Sequence, residues 1–273
     1  MMKTILVPTD FSDASKKALD YAISLAGLMQ AKIILYHAYH IPVPTTEMPV
    51  MIISPEELEK NNSERLGLFK KEVAKNAAVE IECITSPGFA VDEICEIALE
   101  KDVNLIVMGI TGTSKLEHII LGSVTTGVLK DSKKPLLIIP DNATYKTPKK
   151  IAFACDYHDP IGISHIQQLK YFVKLFDAEL FVIHVELPDE KILVKEAISG
   201  VRLEDELEGI SHSLHFPTHT NIIDGLNEFQ QSHQIDLLIM IPKKHSLISR
   251  IFHSSNTKQM AFHTHIPILA LHE

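Results

Sequence analysis

Residues 104–140 read NLIVMGITGTSKLEHIILGSVTTGVLKDSKKPLLIIP, and this stretch decides how the rest of the chain is understood. An apolar run, Leu105 to Met108, has the length and character of a buried strand and stops at Gly109. A polar loop containing Gly112 follows, and then a second small-residue corner, Gly122-Ser123. The next ten residues carry a helical pattern, and Pro135 introduces another apolar run. The order is strand, glycine loop, helix, strand, as in a parallel α/β unit.

Glycine lacks a Cβ, so Gly109 and Gly112 let the backbone turn sharply and approach a ligand closely. Ser123 is predicted to cap the helix that begins at the second corner. Free N–H groups and the positive end of the helix dipole collect at such a start, which suits a phosphate. Thr111, Thr113, Ser123 and Thr125 add hydroxyls without bulk. The chemistry expected is anion binding, since no activated nucleophile is visible. Two tight turns with no ligand is the alternative reading.

Outward from this stretch, residues 4–8 form a buried strand ending in Pro8-Thr9-Asp10, with Ser12 as a cap for a helix over 14–28. Residues 31–39 form the next strand, so strand, helix and strand imply a parallel pair with a right-handed crossover. Residues 41–53 are an irregular excursion. Ser54-Pro55-Glu56-Glu57 opens a helix that runs to about residue 75. A strand over 79–85, a turn at 86–88 and a helix over 90–101 lead back to the glycine stretch. Asp10 lies at the carboxyl end of the first strand, the edge where open α/β sheets bind ligands. Its carboxylate suits ribose hydroxyls or an adenine amino group, and it equally suits an Asx-type turn or cap.

The second half repeats the first. Residues 150–156 end in Asp156 as residues 3–10 end in Asp10, residues 178–186 parallel 31–39, and His184 answers His37. From Met240 the copies align without a gap, so Pro267 falls on Pro135. Such a repeat means two tandem copies of one domain, 1–143 and 144–273, joined through the polar segment 141–148. Under this alignment Gly109, Gly112 and Gly122 become Ile241, Lys244 and Ser254. The second copy is therefore expected not to bind the same ligand in the same way. Asp156, and an anion site at Lys243, Lys244 and His245, are weak alternatives there.

Gly109-x2-Gly112-x9-Gly122-Ser123 resembles the ATP-binding signature of the universal stress protein family at every fixed position. The resemblance is strong over 1–140 and weak over 150–273. It implies two tandem doubly wound, mostly parallel five-stranded sheets with helices on both faces, related by a pseudo-two-fold, with residues 136–139 and 268–271 pairing within the chain. It tips Asp10 toward nucleotide contact, because Pro8, Thr9 and Asp10 match the family's first contacting segment. Ala38 falls where a small apolar residue meets adenine, although valine is commoner there. Met108, Gly109, Thr111, Gly112, Gly122, Ser123, Val124 and Thr125 complete the implied set. The implied ligand is ATP, or ADP or AMP, with Mg²⁺ accompanying the triphosphate and slow hydrolysis at most. A nucleotide-independent scaffold that binds a protein partner is the second reading, and an adenylylating enzyme of the related nucleotide hydrolase superfamily the third.

Composition narrows the field. The 26 basic against 35 acidic residues give a formal charge of -9, which argues against a nucleic-acid surface. The amino-terminal apolar run is too short for a signal peptide or a membrane span, so a cytoplasmic protein is expected. Three scattered cysteines fit reduced core residues. His212, His215 and His219, and His263 with His265, could suggest a zinc set, but Phe216-Pro217 interrupts helical spacing and no cysteine or close carboxylate completes it. His118 and His158 have no nucleophile placed beside them.

Overall fold

The computed structural model describes residues 3–41, 54–75, 77–110, 122–155, 161–188, 203–242 and 265–272. Thr111, Gly112, Thr113, His118, Asp156, His158, Lys243, Lys244, His245, Ser254 and His263 lie outside the described residues. The chain divides into two compact units, one built from Met1–Ile110 and Gly122–Asp141, the other containing Asn142–Glu273.

In the first unit the elements run β1 (Lys3–Pro8), α1 (Asp13–Met29), β2 (Ala31–Tyr39), α2 (Pro55–Val73), β3 (Ile81–Pro87), α3 (Ala90–Glu100), β4 (Leu105–Ile110), α4 (Ser123–Asp131) and β5 (Leu136–Pro140). The strands lie in the order β3-β2-β1-β4-β5, and every recorded pairing is parallel. The chain steps outward from β1 to β3, returns across to β4, and finishes at β5. Right-handed crossovers therefore put α1 and α2 on one face and α3 and α4 on the other. The packing agrees, because α1 touches α2 and α3 touches α4. This is the doubly wound α/β fold expected from the sequence.

The local causes are those of the sequence. Ser12 accepts the Ser15 N–H at the start of α1, and Ser54 accepts the Glu57 N–H at the start of α2, which also has Pro55 in its first turn. Helix α1 buries Ala18, Leu19, Ala22, Leu25 and Ala26 against β1, β2, β4 and β5. Its small residues let it lie close to the sheet, while Leu19 and Leu25 each contribute about 1.5–3 kcal/mol of apolar burial. Strands β1 and β4 read as nearly continuous apolar runs because both faces are covered. Strand β3 begins at Ile81 and continues to Pro87, two residues later than expected at each end, because β2 dictates its register from Ile33↔Ile81 to Tyr39↔Pro87. A proline is tolerated at that end because β3 has only β2 beside it within the unit.

The second unit has β6 (Lys150–Ala154), α5 (Ile163–Phe176), β7 (Glu179–Ile183), β8 (His212–His215), α6 (Ile222–His233), β9 (Leu237–Met240) and β10 (Ile268–Ala270). Its strand order, β10-β9-β6-β7-β8, has the connectivity of the first unit. The registers repeat as well. Met108↔Ile138 in the first unit becomes Met240↔Ala270 in the second under the gap-free alignment. Asn104, whose Oδ1 accepts the Thr4 N–H, becomes Asp236, which accepts the N–H groups of Lys149 and Lys150 and an ion pair from Lys146.

The two units differ at the start of their first helices. Helix α1 has 17 residues and α5 has 14, and both end on a left-handed residue, Gln30 and Asp177. Counted back from those ends, Ala14 falls on Ile161, which lies ahead of α5. Measured from that common end, α5 begins three residues later than α1, close to one helical turn.

Candidate nucleotide site

In the first unit β1 leads outward to β2 and β4 leads the other way to β5, so the boundary between β1 and β4 is the topological switch point. Their pairing is recorded at Ile5↔Leu105 and Leu6↔Ile106, short of either carboxyl end. Beyond it stand Thr9 and Asp10 on one side and Gly109 and Ile110 on the other. A crevice at this point is where open α/β sheets take ligands.

The turn after β1 is wired internally. The Thr9 N–H donates to the Tyr36 carbonyl at 2.8 Å, and the Phe11 N–H to the Thr9 hydroxyl at 2.9 Å. That hydroxyl also meets the Ser15 hydroxyl at 2.9 Å, which donates onward to the Ser12 carbonyl. Asp10 Oδ1 accepts both the Ser12 N–H and the Ser12 hydroxyl. The Asx-type turn weighed from the sequence is thus present, formed through a single carboxylate oxygen. Desolvation within the loop would raise the Asp10 pKa, but the Ser12 hydroxyl and amide, aided by Ser15, outweigh it and hold the carboxyl below its usual 3.8. Asp10 is exposed and carries its charge at neutral pH.

Phe11 was not marked by the sequence reading. It sits at φ 68°, a left-handed conformation that is uncommon for a bulky side chain. Its ring packs on His37 at 4.4 Å and edge-on to Phe69 at 5.4 Å, and the Arg65 guanidinium lies 3.9 Å from its centre. With these neighbours around it, the ring is a plug that holds the turn in place and is a poor platform for a base. The only hint in the sequence was an aromatic residue directly before a helix cap.

Gly109 is the node on the opposite side. A Cβ there would lie 2.2 Å from the Ala14 carbonyl oxygen, so the start of α1 can seat on β4 only because this residue is glycine. The glycine was expected to admit a ligand, and the close approach that the structure records is that of α1. The Gly109 carbonyl also accepts the Thr125 hydroxyl at 3.3 Å, which ties the start of α4 to the end of β4. Thr125 is buried and engaged, Met108 is buried in the strand, and Ala38 is half-buried near the end of β2.

The cap of α4 corrects the sequence reading. Gly122, not Ser123, is the N-cap, and Ser123 is the first helical residue. A glycine has no oxygen to offer the leading amides, and no side-chain cap bond is formed there. A Cβ on Gly122 would meet nothing within 4 Å. Gly122 and Ser123 are exposed and Val124 is half-buried. Among the described residues, the start of α4 is thus an exposed helix end without a capping side chain, held at the carboxyl end of β4.

A family model described as the universal stress protein family matches residues 1–140. The chain belongs to that family. A universal stress protein of Methanocaldococcus jannaschii is 37% identical over 155 residues, covering 55% of this chain and 85% of the relative. A universal stress protein of Synechocystis is 26% identical over 306 residues and spans 98% of this chain and 99% of its own length. A solved universal stress protein structure from Archaeoglobus fulgidus superposes with a TM-score of 0.74 at 23% identity, covering 98% of each chain, a likeness of fold. Relatives that match about half of this chain and relatives that match nearly all of it are thus both found in the family.

In the second unit the corresponding crevice is built differently. Ile241 stands where Gly109 stands in the first, and the connection from β6 to α5 runs through residues 155–162, against 9–12 between β1 and α1. The histidines weighed as a zinc set have local partners. His212 Nδ1 donates to the Ile210 carbonyl, His215 Nε2 meets the Ser213 hydroxyl, and His219 Nδ1 accepts the Asn221 N–H. His215 also packs with Phe181, Phe229 and His233, and desolvation together with the nearby His233 lowers its pKa.

Proposed function

We propose that this universal stress protein binds an adenine nucleotide, ATP foremost, at the switch-point crevice of its first unit. It would act as a cytoplasmic regulatory module of stress adaptation, with little or no turnover. The observation that carries the reading is the uncapped start of α4. Glycine at the cap offers the leading amides no side-chain oxygen, a Cβ on it would meet nothing within 4 Å, and Thr125 fixes that start to the end of β4. An anionic phosphate is the natural complement of such a helix start. Pro8, Thr9, Asp10 and Ala38 would form the base and ribose end. Met108, Gly109, Thr111 and Gly112 would line the middle, and Gly122, Ser123, Val124 and Thr125 the phosphate end. Mg²⁺ would be held chiefly by the phosphate oxygens.

Calorimetric titration of ATP, ADP and AMP into the intact protein, with and without Mg²⁺, tests this reading. Saturable binding that Gly122→Val abolishes in a folded protein supports it. Absence of binding at millimolar nucleotide would overturn it in favour of a scaffold that works through a protein partner.

A further inference from the structure

We infer that His37 is a positioning residue for the base and ribose end of this crevice, acting through the peptide between Thr9 and Asp10. The inference rests on the nucleotide reading above. His37 Nδ1 lies 2.8 Å from the Thr9 carbonyl oxygen. A carbonyl only accepts, so Nδ1 carries the proton. Protonation of the ring leaves that N–H in place, and the contact is therefore a fixed brace that does not depend on ring charge. The ring is held at 4.4 Å by Phe11, which Phe69 and Arg65 hold in turn.

The consequence lies one bond further along the chain. No peptide here is cis, and in a planar trans peptide the N–H points opposite to the preceding C=O. Strand β1 has β2 on one side and β4 on the other. By drawing the Thr9 carbonyl toward β2, His37 turns the Asp10 N–H away from β2, to the side where the crevice opens. The Thr9–Asp10 peptide is thereby oriented by a side chain of β2, while the Asp10 carboxylate itself is held by Ser12.

The second unit supplies an independent observation. His184 Nδ1 approaches the Cys155 carbonyl at 3.2 Å, and the Cys155 N–H donates to Ile183 as Thr9 does to Tyr36. The brace persists in a unit where Ile241 has replaced the glycine at the end of the central strand. It is thus separable from the phosphate cradle, and its removal should harm one end of the ligand only.

The test uses the intact chain with His37→Leu, His37→Asn and His37→Gln, titrated with AMP, ATP and inorganic tripolyphosphate, with thermal unfolding recorded for each variant. Asparagine keeps a donor near the place of Nδ1, whereas glutamine moves it one atom further out. His37→Leu should weaken AMP and ATP about tenfold and leave tripolyphosphate within about twofold, with His37→Asn recovering most of the loss and His37→Gln little. Unchanged AMP binding in folded His37→Leu overturns the assignment, and so does an equal loss of tripolyphosphate. If the leucine variant does not fold, the asparagine and glutamine variants decide, and equal AMP affinities for the two overturn it. Failure of the unaltered protein to bind any nucleotide is a different result, and it removes the reading on which the assignment rests.

Discussion

Gly109 and Gly122 are the same residue type kept for opposite physical reasons. At Gly109 the space for a side chain is taken by the backbone of α1, so Gly109→Ala should lower stability by about 1–3 kcal/mol whether or not nucleotide is present. Urea unfolding measures that loss. At Gly122 the space is empty, and Gly122→Val should cost about 1 kcal/mol or less as a poorer cap while eliminating ATP binding. A shift in unfolding midpoint comparable to that of Gly109→Ala would show that Gly122 is structural after all. Both glycines were legible in the sequence as special positions. The reason for Gly109 was not, because its partner, Ala14, is distant in the chain and its approach depends on how α1 crosses the sheet. The left-handed Phe11 was invisible for a similar reason, since only the neighbours His37, Phe69 and Arg65 make that conformation tolerable.

The elements themselves were largely readable, for their signals are local. Ser12 and Ser54 announce their helices, and the apolar runs of β1, β4 and β5 announce strands buried on both faces. Strand ends were less legible, as with β3, because a neighbouring strand sets the register. One element-level contact has a measurable consequence. At the carboxyl ends of β2 and β3 the Tyr36 hydroxyl meets Ser86 and Glu93, and Ser86 donates to the Glu93 carboxylate at 2.7 Å. Burial first, and the negative charge of Glu93 with it, pushes the Tyr36 pKa up to about 12. A folded-state pKa above the unfolded value of 10 means that the native state holds this proton more tightly. The stabilisation is complete below pH 10 and is lost as the pH rises toward 12. Tyr39 is raised as well, by burial and by Glu59, so ultraviolet titration of the six tyrosines should show more than one late tyrosinate, and Tyr36→Phe should remove the step at about pH 12. Asp10 and Asp236 have the reverse sign. Their depressed pKa values stabilise the fold above pH 3.8, a contribution that fades as pH falls through the still lower native values. Asp236→Asn should blunt the acid end of a stability-against-pH curve.

At the scale of the molecule, two units share one connectivity and one set of registers but not one crevice. The proposed function therefore predicts a single nucleotide per chain, and native mass spectrometry of the protein with excess ATP should show one bound mass and no second. Two equivalent sites would contradict the divergence between Gly109 and Ile241. The repeat was legible because buried strands keep their apolar pattern after other similarity has faded. The later start of α5 was not, since the point where a helix begins leaves no mark in composition. That later start also bears on how the second half could ever regain a ligand. Writing glycine back at Ile241 would not by itself restore the contact that Gly109 makes with Ala14, because the counterpart of Ala14, Ile161, lies ahead of α5, so a transplanted site would have to bring the opening turn of α1 along with its glycines.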